Sequence, residues 1–499
     1  MTGFTPLDGG IVGLYLLGTM AAGLAMKRYV GTVEHFLVAG REMDVSLGIA
    51  SLAATEFGIV TCMYGAQNGF EMGFAGAVPG LLLACAMWGV GTTGFCIGPL
   101  RESGVVTLPE FFEKRFGRRV RWASGVVIVL GGLLNMGVFL RTGGEFLLEI
   151  VRLGSGSGGG WASSHRLELM MTALLVLVAL YTVLGGMLSV LVTDFLQFVV
   201  MSAGLIAVTF LILANIRWGS LVETVTRYRG AGGFSPLANP KMGWPYLLFN
   251  ACLNLAIVLT WQTILQRVLA ARDAATGRRV FTRTSFFFVA RFLIPGIWGI
   301  AALAVLGPGA DSLHAMPRFL GGFVPAGLMG LLVAAMLAAD MSTDSSYMLT
   351  WASVIWNDIL APFRRGGEWD ERRGLRANRA IVAAIGVFLL FYGLWYPLKG
   401  DLWTYLGVTG TIYLASMSVL LISGCYLRGA NSWGAGAAIA VGAVVPVLYL
   451  VLEQLPTTSR ATRETIGPYW SGLSAYVGAA AAMVLGSLLK DRLRKESRA

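Results

Sequence analysis

Apolar runs of about 20 residues recur from one end of this 499-residue chain to the other. Each is long enough to cross a hydrocarbon core ~30 Å thick. Backbone groups left unpaired in lipid are so costly that spanning segments form helical bundles or closed barrels, and runs of this length favour helices. Only 13% of the residues are charged, whereas an ordinary soluble domain has about 25%. The sequence therefore predicts an all-α membrane protein. About thirteen transmembrane helices are predicted, near 9–26, 45–69, 75–98, 121–150, 167–184, 188–213, 244–265, 284–306, 323–356, 379–397, 402–424, 433–454 and 469–489.

The distribution of basic residues predicts the orientation. With thirteen helices and an external N-terminus, 26 of the 38 Lys and Arg fall in cytoplasmic segments, ten fall outside, and Arg141 and Arg291 fall within helices. This bias predicts an external N-terminus and a cytoplasmic C-terminus in a cell (inner) membrane. The first run has no basic segment before it and no small-residue cleavage site after it, so we expect a retained helix. A nucleic-acid partner is excluded, because no basic soluble surface or motif is predicted.

The chain offers little for metal or covalent chemistry. Its five cysteines form no CxxC pair, and its three histidines fall in predicted loops and cluster with nothing. Neither a disulfide framework nor a zinc site is indicated. A membrane-embedded enzyme would need a nucleophile–base or metal constellation, and a sensor would need a soluble signalling domain. Neither class is favoured over a transporter.

Five segments, in this order along the chain, point to one family. They are EHFLVAGREM (34–43), TLPEFFEKRFG (107–117), YTVLGGMLSVLVTDFLQ (181–197), LQRVLAARD (265–273) and AADMSTDSS (338–346). Together they resemble the sodium/solute symporter family. The resemblance implies a single transporter domain over 1–499 with the leucine-transporter-like fold, in which two five-helix repeats have inverted topologies. The repeats would be about 45–213 and 244–424, with flanking helices at 9–26, 433–454 and 469–489.

A strongly polar stretch, LAADMSTDSSYMLT (337–350), lies inside one of the apolar runs. Polar groups at bilayer depth are usually paired or line a water-filled path. The resemblance implies that Ser342 and Thr343 supply side-chain oxygens to a Na⁺ site and that Ala339 supplies a carbonyl. Ala54 and Phe57 would supply carbonyls from a helix interrupted near Gly58. Taken without the resemblance, these hydroxyls favour the alternative, which is ordinary hydrogen bonding to the preceding turn or to a neighbouring helix.

A second set of polar residues, Asp194, Ser345 and Ser346, allows two interpretations. By the resemblance, Asp194, Ser345 and Ser346 have the ligand types for a second Na⁺. A structural Asp194 that bonds across helices is the alternative. The helix matching the interrupted one in the second repeat contains no Gly or Pro over 246–267, so the sequence does not locate its break.

Asp340 and Asp344 depart from the family pattern. They are spaced i, i+4 and therefore share a helix face. Two adjacent carboxylates would not both stay ionised in a dry site without a cation. We favour pairing with Arg141 or Arg291; the alternative is a proton path.

Six residues are candidates for binding the transported solute: Glu56, Thr61, Gln67, Arg141, Asn254 and Gln262. The planar guanidinium of Arg141 suits a carboxylate, although it would equally pair with Glu145 one turn away. Glu56 would meet an ammonium group or neutralise Arg141. The sequence thus predicts Na⁺-coupled uptake of a small polar organic solute through the bilayer, with an amino acid or organic acid slightly favoured over a neutral sugar. A proton-coupled transporter using Asp340, Asp344 or Glu56 is the alternative, and the oligomeric state stays open.

Overall fold

The computed structural model describes residues 4–26, 43–151, 165–360, 371–396, 401–455 and 458–496. The first family segment, 34–43, lies outside these ranges except for Met43. Residues 361–370, which include 364–370 of the basic stretch 364–376, and the last three residues also lie outside them. The regular structure in the described ranges is helical. In chain order the helices are α1 (Pro6–Ala25), α2 (Val45–Thr55), α3 (Ile59–Met72), α4 (Val78–Thr93), α5 (Ile97–Glu102), α6 (Leu108–Phe116), α7 (Arg118–Met136), α8 (Phe139–Val151), α9 (Arg166–Asn215), α10 (Trp218–Arg229), α11 (Gly243–Thr260), α12 (Gln262–Ala270), α13 (Ala274–Leu306), α14 (Ala315–Phe323), α15 (Leu328–Val354), α16 (Glu371–Trp395), α17 (Leu402–Tyr426), α18 (Ser432–Gln454), α19 (Ser459–Thr465) and α20 (Gly467–Glu496).

Eleven of the described helical segments are long and apolar enough to cross a membrane. Two of them contain a turn. Gly186 interrupts the 50-residue α9 with φ 55° and ψ −151°, and Gly73 separates α3 from α4 with φ 62°. Both conformations are accessible to glycine at little cost. With one crossing before and one after each of these two turns, the eleven segments give thirteen crossings, which is the predicted number. The chain is an all-α multi-pass membrane protein.

The polar helix α15 lies at the centre of the bundle. The most apolar stretches of α15 and α17 are 89% buried within the protein, whereas those of α1 and α20 are only 22% and 28% buried. The peripheral helices therefore face lipid with their leucines and valines. The hydroxyls and carboxylates of α15 are shielded from lipid by protein on every side.

The family segment TLPEFFEKRFG forms α6 with its two capping residues, and together with Arg121 of α7 it binds the end of the central helix. The hydroxyl of Thr107 donates to Asp358 Oδ1 at 2.9 Å, and Arg121 Nε donates to the same oxygen at 2.7 Å. Asp358 lies in the π-helical turn that ends α15 and is fully buried. This segment therefore fixes one end of the helix that carries the polar residues.

Candidate functional site

The helix formed by α2 and α3 is interrupted at residues 56–58. Gly58 begins α3 in an extended conformation and lies against α15. A Cβ atom at Gly58 would be 2.8 Å from Thr343 Oγ1, so only glycine permits this close approach. The interruption frees backbone carbonyls from helical hydrogen bonding in the middle of the protein. The predicted break near Gly58 is present.

Four of the five residues predicted to bind the first Na⁺ meet at this interruption. Ser342 Oγ donates to the carbonyls of Ala54 at 2.9 Å and Ala339 at 3.0 Å. Thr343 Oγ1 donates to the carbonyls of Ala339 and Thr55, each at 2.9 Å. Neutral oxygens of this kind suit a hard cation, because they replace its water shell. We call these four carbonyl and hydroxyl residues, with Thr55, the hydroxyl cluster.

Phe57, the fifth predicted residue, lies in the interruption itself. Its side chain is buried and contacts the ring of Phe287 edge-on, with centroids 6.0 Å apart. The Phe57 side chain therefore anchors the extended segment against α13.

The second predicted set comes together around an arginine that sequence reasoning missed. Asp194 Oδ2 accepts hydrogen bonds from Ser51 at 2.6 Å and from Thr55 at 3.3 Å. Arg267 Nη2 donates to Ser346 Oγ at 2.7 Å and lies 3.2 Å from Asp194 Oδ2. The side chains of Arg267 and Asp194 are both completely buried.

Ser345, the remaining member of that set, bonds within its own helix, donating to the carbonyl of Ser342 at 3.2 Å. Arg267 was assigned to a cytoplasmic segment, yet it lies inside α12, where all nine residues are buried. The sequence contained one signal for this contact. Arg267 lies in the family segment LQRVLAARD, and a buried Asp194 needs a cationic or hydrogen-bonding partner.

The second interrupted helix breaks at Trp261, between α11 and α12. Trp261 has an extended conformation, with φ −65° and ψ 120°. Its indole donates to Tyr347 Oη at 2.9 Å and stacks on Tyr413 with centroids 5.8 Å apart. Aromatic packing holds this break, which is why the sequence shows no glycine or proline there.

A cavity of about 60 Å³ lies between the two interruptions. A single water needs about 10–15 Å³ by the same measure, so the space holds several waters or a small solute. Its aromatic walls are Tyr64, Phe139, Trp261, Tyr347 and Trp403, and its polar lining is Thr55, Glu56, Thr61, Asn135, Arg291 and Thr343. Thr55 and Thr343 belong to both the cavity wall and the hydroxyl cluster.

A charge pair forms the polar end of the cavity. Arg291 Nη1 is 3.5 Å from Glu56 Oε2, and Arg291 Nη2 donates to Thr61 Oγ1 at 3.3 Å. The Glu56 carboxylate also accepts from the hydroxyl of Thr263 at 2.6 Å. The side chains of Arg291 and Glu56 are 11% and 2% exposed. Arg291 has five N–H donors, and its Nε has no hydrogen-bond partner among the residues that the structure describes, so it retains capacity for a further acceptor.

The comparisons with known proteins decide the family. The model of the sodium:solute symporter family matches residues 36–442. The chain belongs to the sodium:solute symporter family. The human (Homo sapiens) sodium/glucose cotransporter 4 is 26% identical over 509 residues, covering 90% of the symporter and 70% of that protein. The pig (Sus scrofa) sodium/myo-inositol cotransporter 2 is 25% identical over 508 residues, with the same coverage. The symporter is accordingly a transporter and not an enzyme.

Solved structures share the fold. A Na⁺-coupled sialic acid symporter in a substrate-bound outward-open state superimposes with a TM-score of 0.80 at 17% identity, covering 97% of the symporter and 98% of that chain. MhsT in complex with L-phenylalanine has a TM-score of 0.51 at 13% identity, covering 90% and 98%. The leucine-transporter-like, inverted-repeat fold is thereby shown, while the repeat bounds of about 45–213 and 244–424 stay predictions.

Two of the six predicted solute-binding residues, Glu56 and Thr61, line the cavity. Arg141 does not line the cavity: its Nε pairs with Glu145 at 2.7 Å, which is the alternative that the sequence left open. Its Nη1 donates to the backbone carbonyls of Gly393 and Tyr396. Arg291 has the cavity position that was assigned to Arg141.

The three predicted amides of the solute site do not line the cavity. Gln67 donates to Ser312 Oγ at 3.1 Å and accepts from the backbone of Leu402. Asn254 donates to the carbonyl of Asn250 one turn back, whereas Leu253 and Ile257 of the same helix line the cavity. Gln262 donates to the carbonyl of Thr260 and lines a separate, smaller pocket of about 10 Å³.

The favoured pairing of Asp340 and Asp344 with Arg141 or Arg291 is wrong. Arg141 binds Glu145 and Arg291 binds Glu56, so both arginines have other carboxylate partners. Asp340 and Asp344 are 2% and 3% exposed, and Asp340 Oδ2 and Asp344 Oδ1 have no hydrogen-bond partner in the described ranges. Asp340 lies against Gly143 of α8, where a Cβ would be 2.9 Å from its carboxylate oxygens.

His314, which precedes α14 in a loop between the membrane helices, joins an ionisable cluster with Asp311 and Glu145. His314 Nδ1 is 2.6 Å from Asp311 Oδ2, and its Nε2 is 3.6 Å from Glu145 Oε2. The contact with Glu145, together with Asp311, raises the pKa of His314 to about 9 despite partial burial. The expectation that the histidines cluster with nothing is therefore wrong for His314.

Proposed function

We propose that the symporter couples Na⁺ entry to uptake of a small polar organic solute that carries a carboxylate, an amino acid or organic acid, by alternating access. The observation that supports this is the Glu56–Arg291 pair at the cavity wall. A guanidinium fork binds a carboxylate in a bidentate manner, and Glu56 offers an acceptor for an ammonium group. A neutral polyol offers no charge to either member of this pair.

Coupling to Na⁺ is supported by the residues that the two sites share. Thr55 and Thr343 line the cavity and also belong to the hydroxyl cluster. A cation bound by Ser342, Thr343, Ala54 and Ala339 would hold α15 against the interruption, which also forms the cavity wall. Solute and Na⁺ would then each favour the same arrangement of these helices, which is the requirement for thermodynamic coupling.

The test is a thermal-shift screen of the purified symporter in sodium chloride and in choline chloride. The panel contains amino acids, small organic acids, glucose and myo-inositol. A carboxylate-bearing solute is expected to raise Tm only with Na⁺, and Arg291→Gln should abolish the shift. Arg141→Gln is the matched control, and its ligand-induced shift should equal that of the wild type. A Na⁺-dependent shift by glucose or myo-inositol that survives Arg291→Gln would contradict the proposal.

Proton coupling is a second candidate, and the buried carboxylates of Asp340 and Asp344 favour it. Groups of this kind without a counter-ion mark proton paths in membrane transporters. Glu56 is the third residue predicted to carry protons in this alternative, although it is paired with Arg291. If protons drive transport, acidic buffer without Na⁺ should replace Na⁺ in producing the solute-induced Tm shift. Loss of the shift at every pH without Na⁺ would exclude it.

We further propose an external N-terminus and a cytoplasmic C-terminus in the cell (inner) membrane, from the distribution of Lys and Arg. Arg119 and Ala238 are exposed at opposite predicted sides. In a background with the native cysteines replaced by serine, Arg119→Cys should react with an impermeant maleimide only in inverted vesicles. Ala238→Cys should react in intact cells. Labelling of both from one side would reject this topology.

A further inference from the structure

We propose that Cys96 and Cys425 are a redox-sensitive thiol pair, and that their oxidation to a disulfide arrests the transport cycle. Cys96 lies in the turn between α4 and α5, and Cys425 lies in the last turn of α17. Both are free cysteines, and their thiols are hydrogen-bonded to each other. The effect on transport rests on the alternating access proposed above, whereas formation of the disulfide does not.

Two further contacts hold the thiols next to each other. The backbone N–H of Cys96 donates to Tyr426 Oη at 3.0 Å. The ring of Phe95 stacks on the ring of Tyr426, with centroids 5.1 Å apart and an angle of 10° between the planes. The turn before α5 is therefore docked on the end of α17 at three points. Thiols in direct contact need only a small approach to reach the ~2.05 Å of a disulfide bond.

The backbone of Cys96 is strained. Among the described residues it is the one non-glycine residue with a positive φ, at 60°. This region disfavours residues that have a Cβ atom, and glycine would occupy it without cost, as Gly94 does in the same turn with φ 73°. The turn thus keeps a side chain in a strained conformation, and that side chain contacts α17. Strain of this kind is concentrated at functional and switching sites.

The exposure of the two thiols gives the order of the reaction. Cys96 is 1% exposed and Cys425 is partly exposed, so an oxidant reaches Cys425 first. Hydrogen peroxide converts the Cys425 thiol to a sulfenic acid and releases one water. The Cys96 thiol then attacks that sulfur, forms the S–S bond and releases a second water. A dithiol reductant reverses the reaction by thiol–disulfide exchange. Both cysteines lie on the predicted cytoplasmic side, where thiols are kept reduced, so the bond should form only under oxidative stress.

The disulfide would join two groups of helices. Arg278 of α13 donates to the carbonyl of Gly91 at 3.2 Å and to that of Thr92, which fixes the end of α4 to α13. Helix α13 also packs along α3, the second half of the first interrupted helix. Helix α17 packs against α7, α11, α18 and α20, and in the described ranges it makes no extended contact with α4. Alternating access moves one group of helices against another, so a covalent bond at this point should prevent it.

Counting free thiols in the purified full-length symporter tests the pair. The denatured wild type should show all five thiols before treatment with hydrogen peroxide and three after it, and dithiothreitol should restore five. Peptide mapping without reduction should find the fragments of Cys96 and Cys425 joined. In Cys96→Ser, dimedone should trap the sulfenic acid of Cys425. Cys85→Ser is the matched control, because it removes an exposed cysteine and should still lose two thiols.

The same samples test the mechanical consequence. Oxidation should raise the Tm of the wild type but not that of Cys425→Ser, because a cross-link restricts the unfolded chain. In proteoliposomes, oxidation should reduce ²²Na⁺/Na⁺ exchange by the wild type to the level of empty liposomes. Dithiothreitol should restore the exchange, and Cys425→Ser should keep it throughout.

The outcomes separate the thiol pair from the proposed function. A thiol count that stays at five, or a joined pair other than Cys96 and Cys425, would overturn the proposal. So would a complete Cys96–Cys425 bond with unchanged exchange, or an equal loss of exchange in Cys425→Ser. A reduced wild type without any ²²Na⁺ exchange would reject the proposed Na⁺ coupling, while the joined peptides and the reversible gain in Tm would still support the thiol pair.

Discussion

Replacing Ser342 with alanine should weaken Na⁺ binding by a calculable amount. Its hydroxyl is completely buried and lies 2.9 Å from the carbonyl of Ala54 and 3.0 Å from that of Ala339. A hydrogen-bonding oxygen that faces a charge contributes ~1.5–3 kcal/mol. Each ~1.4 kcal/mol is a factor of ten in affinity. The Na⁺ concentration for half-saturation should therefore rise roughly 10- to 150-fold in Ser342→Ala.

Binding of ²²Na⁺ to the purified protein measures this directly and needs no identified solute. Ser418→Ala is a matched control, because the Ser418 hydroxyl donates only to the carbonyl of Ala415 within α17, at 3.1 Å. Its half-saturation should equal that of the wild type. Thr343→Ala should act in the same direction as Ser342→Ala. An unchanged Na⁺ affinity in the Ser342→Ala and Thr343→Ala double variant would refute the assignment of the hydroxyl cluster.

Two further predictions concern ionisable groups. Asp340→Asn and Asp344→Asn should each change the unfolding free energy additively with Arg291→Gln, within ~0.5 kcal/mol, because no ion pair joins either aspartate to Arg291. Denaturant unfolding measures these free energies. A coupling above ~1 kcal/mol would contradict the observed pairing. His314 should stabilise the fold in a pH-dependent way, because its pKa is raised to about 9 beside Asp311. The contribution is complete below the ordinary pKa of ~6.5 and is lost as the pH rises through about 9. The Tm difference between wild type and His314→Gln should follow that course, and a difference independent of pH would refute it.

The sequence by itself determined the class of fold, because its signals are local. Runs of about 20 apolar residues specify crossings whatever their neighbours are, since the bilayer requires each crossing to satisfy its own backbone. The first interruption was equally visible, because Gly58 stands in the middle of a predicted helix. The structure adds the reason for the glycine, since a Cβ there would clash with Thr343. The order of five segments indicated the family, and the resemblance predicted Ser342, Thr343, Ala54 and Ala339 as Na⁺ ligands.

The second interruption needed the tertiary structure. Trp261 breaks its helix through contacts with Tyr347 and Tyr413, which lie far away in the sequence. No residue of 246–267 marks the position locally. A break held by aromatic packing depends on what surrounds the helix.

Charge pairing was likewise decided only in three dimensions. Helical spacing predicted the Arg141–Glu145 contact as an alternative, because an i, i+4 pair is local. Arg291 meets Glu56 across 235 residues of sequence, and Arg267 meets Asp194 across 73. Spacing along the chain carries no information about such partners, because bundle packing determines which helix faces which. The sequence determined that buried charges exist in this protein, and the packing of the interrupted helices decided which of them neutralise each other.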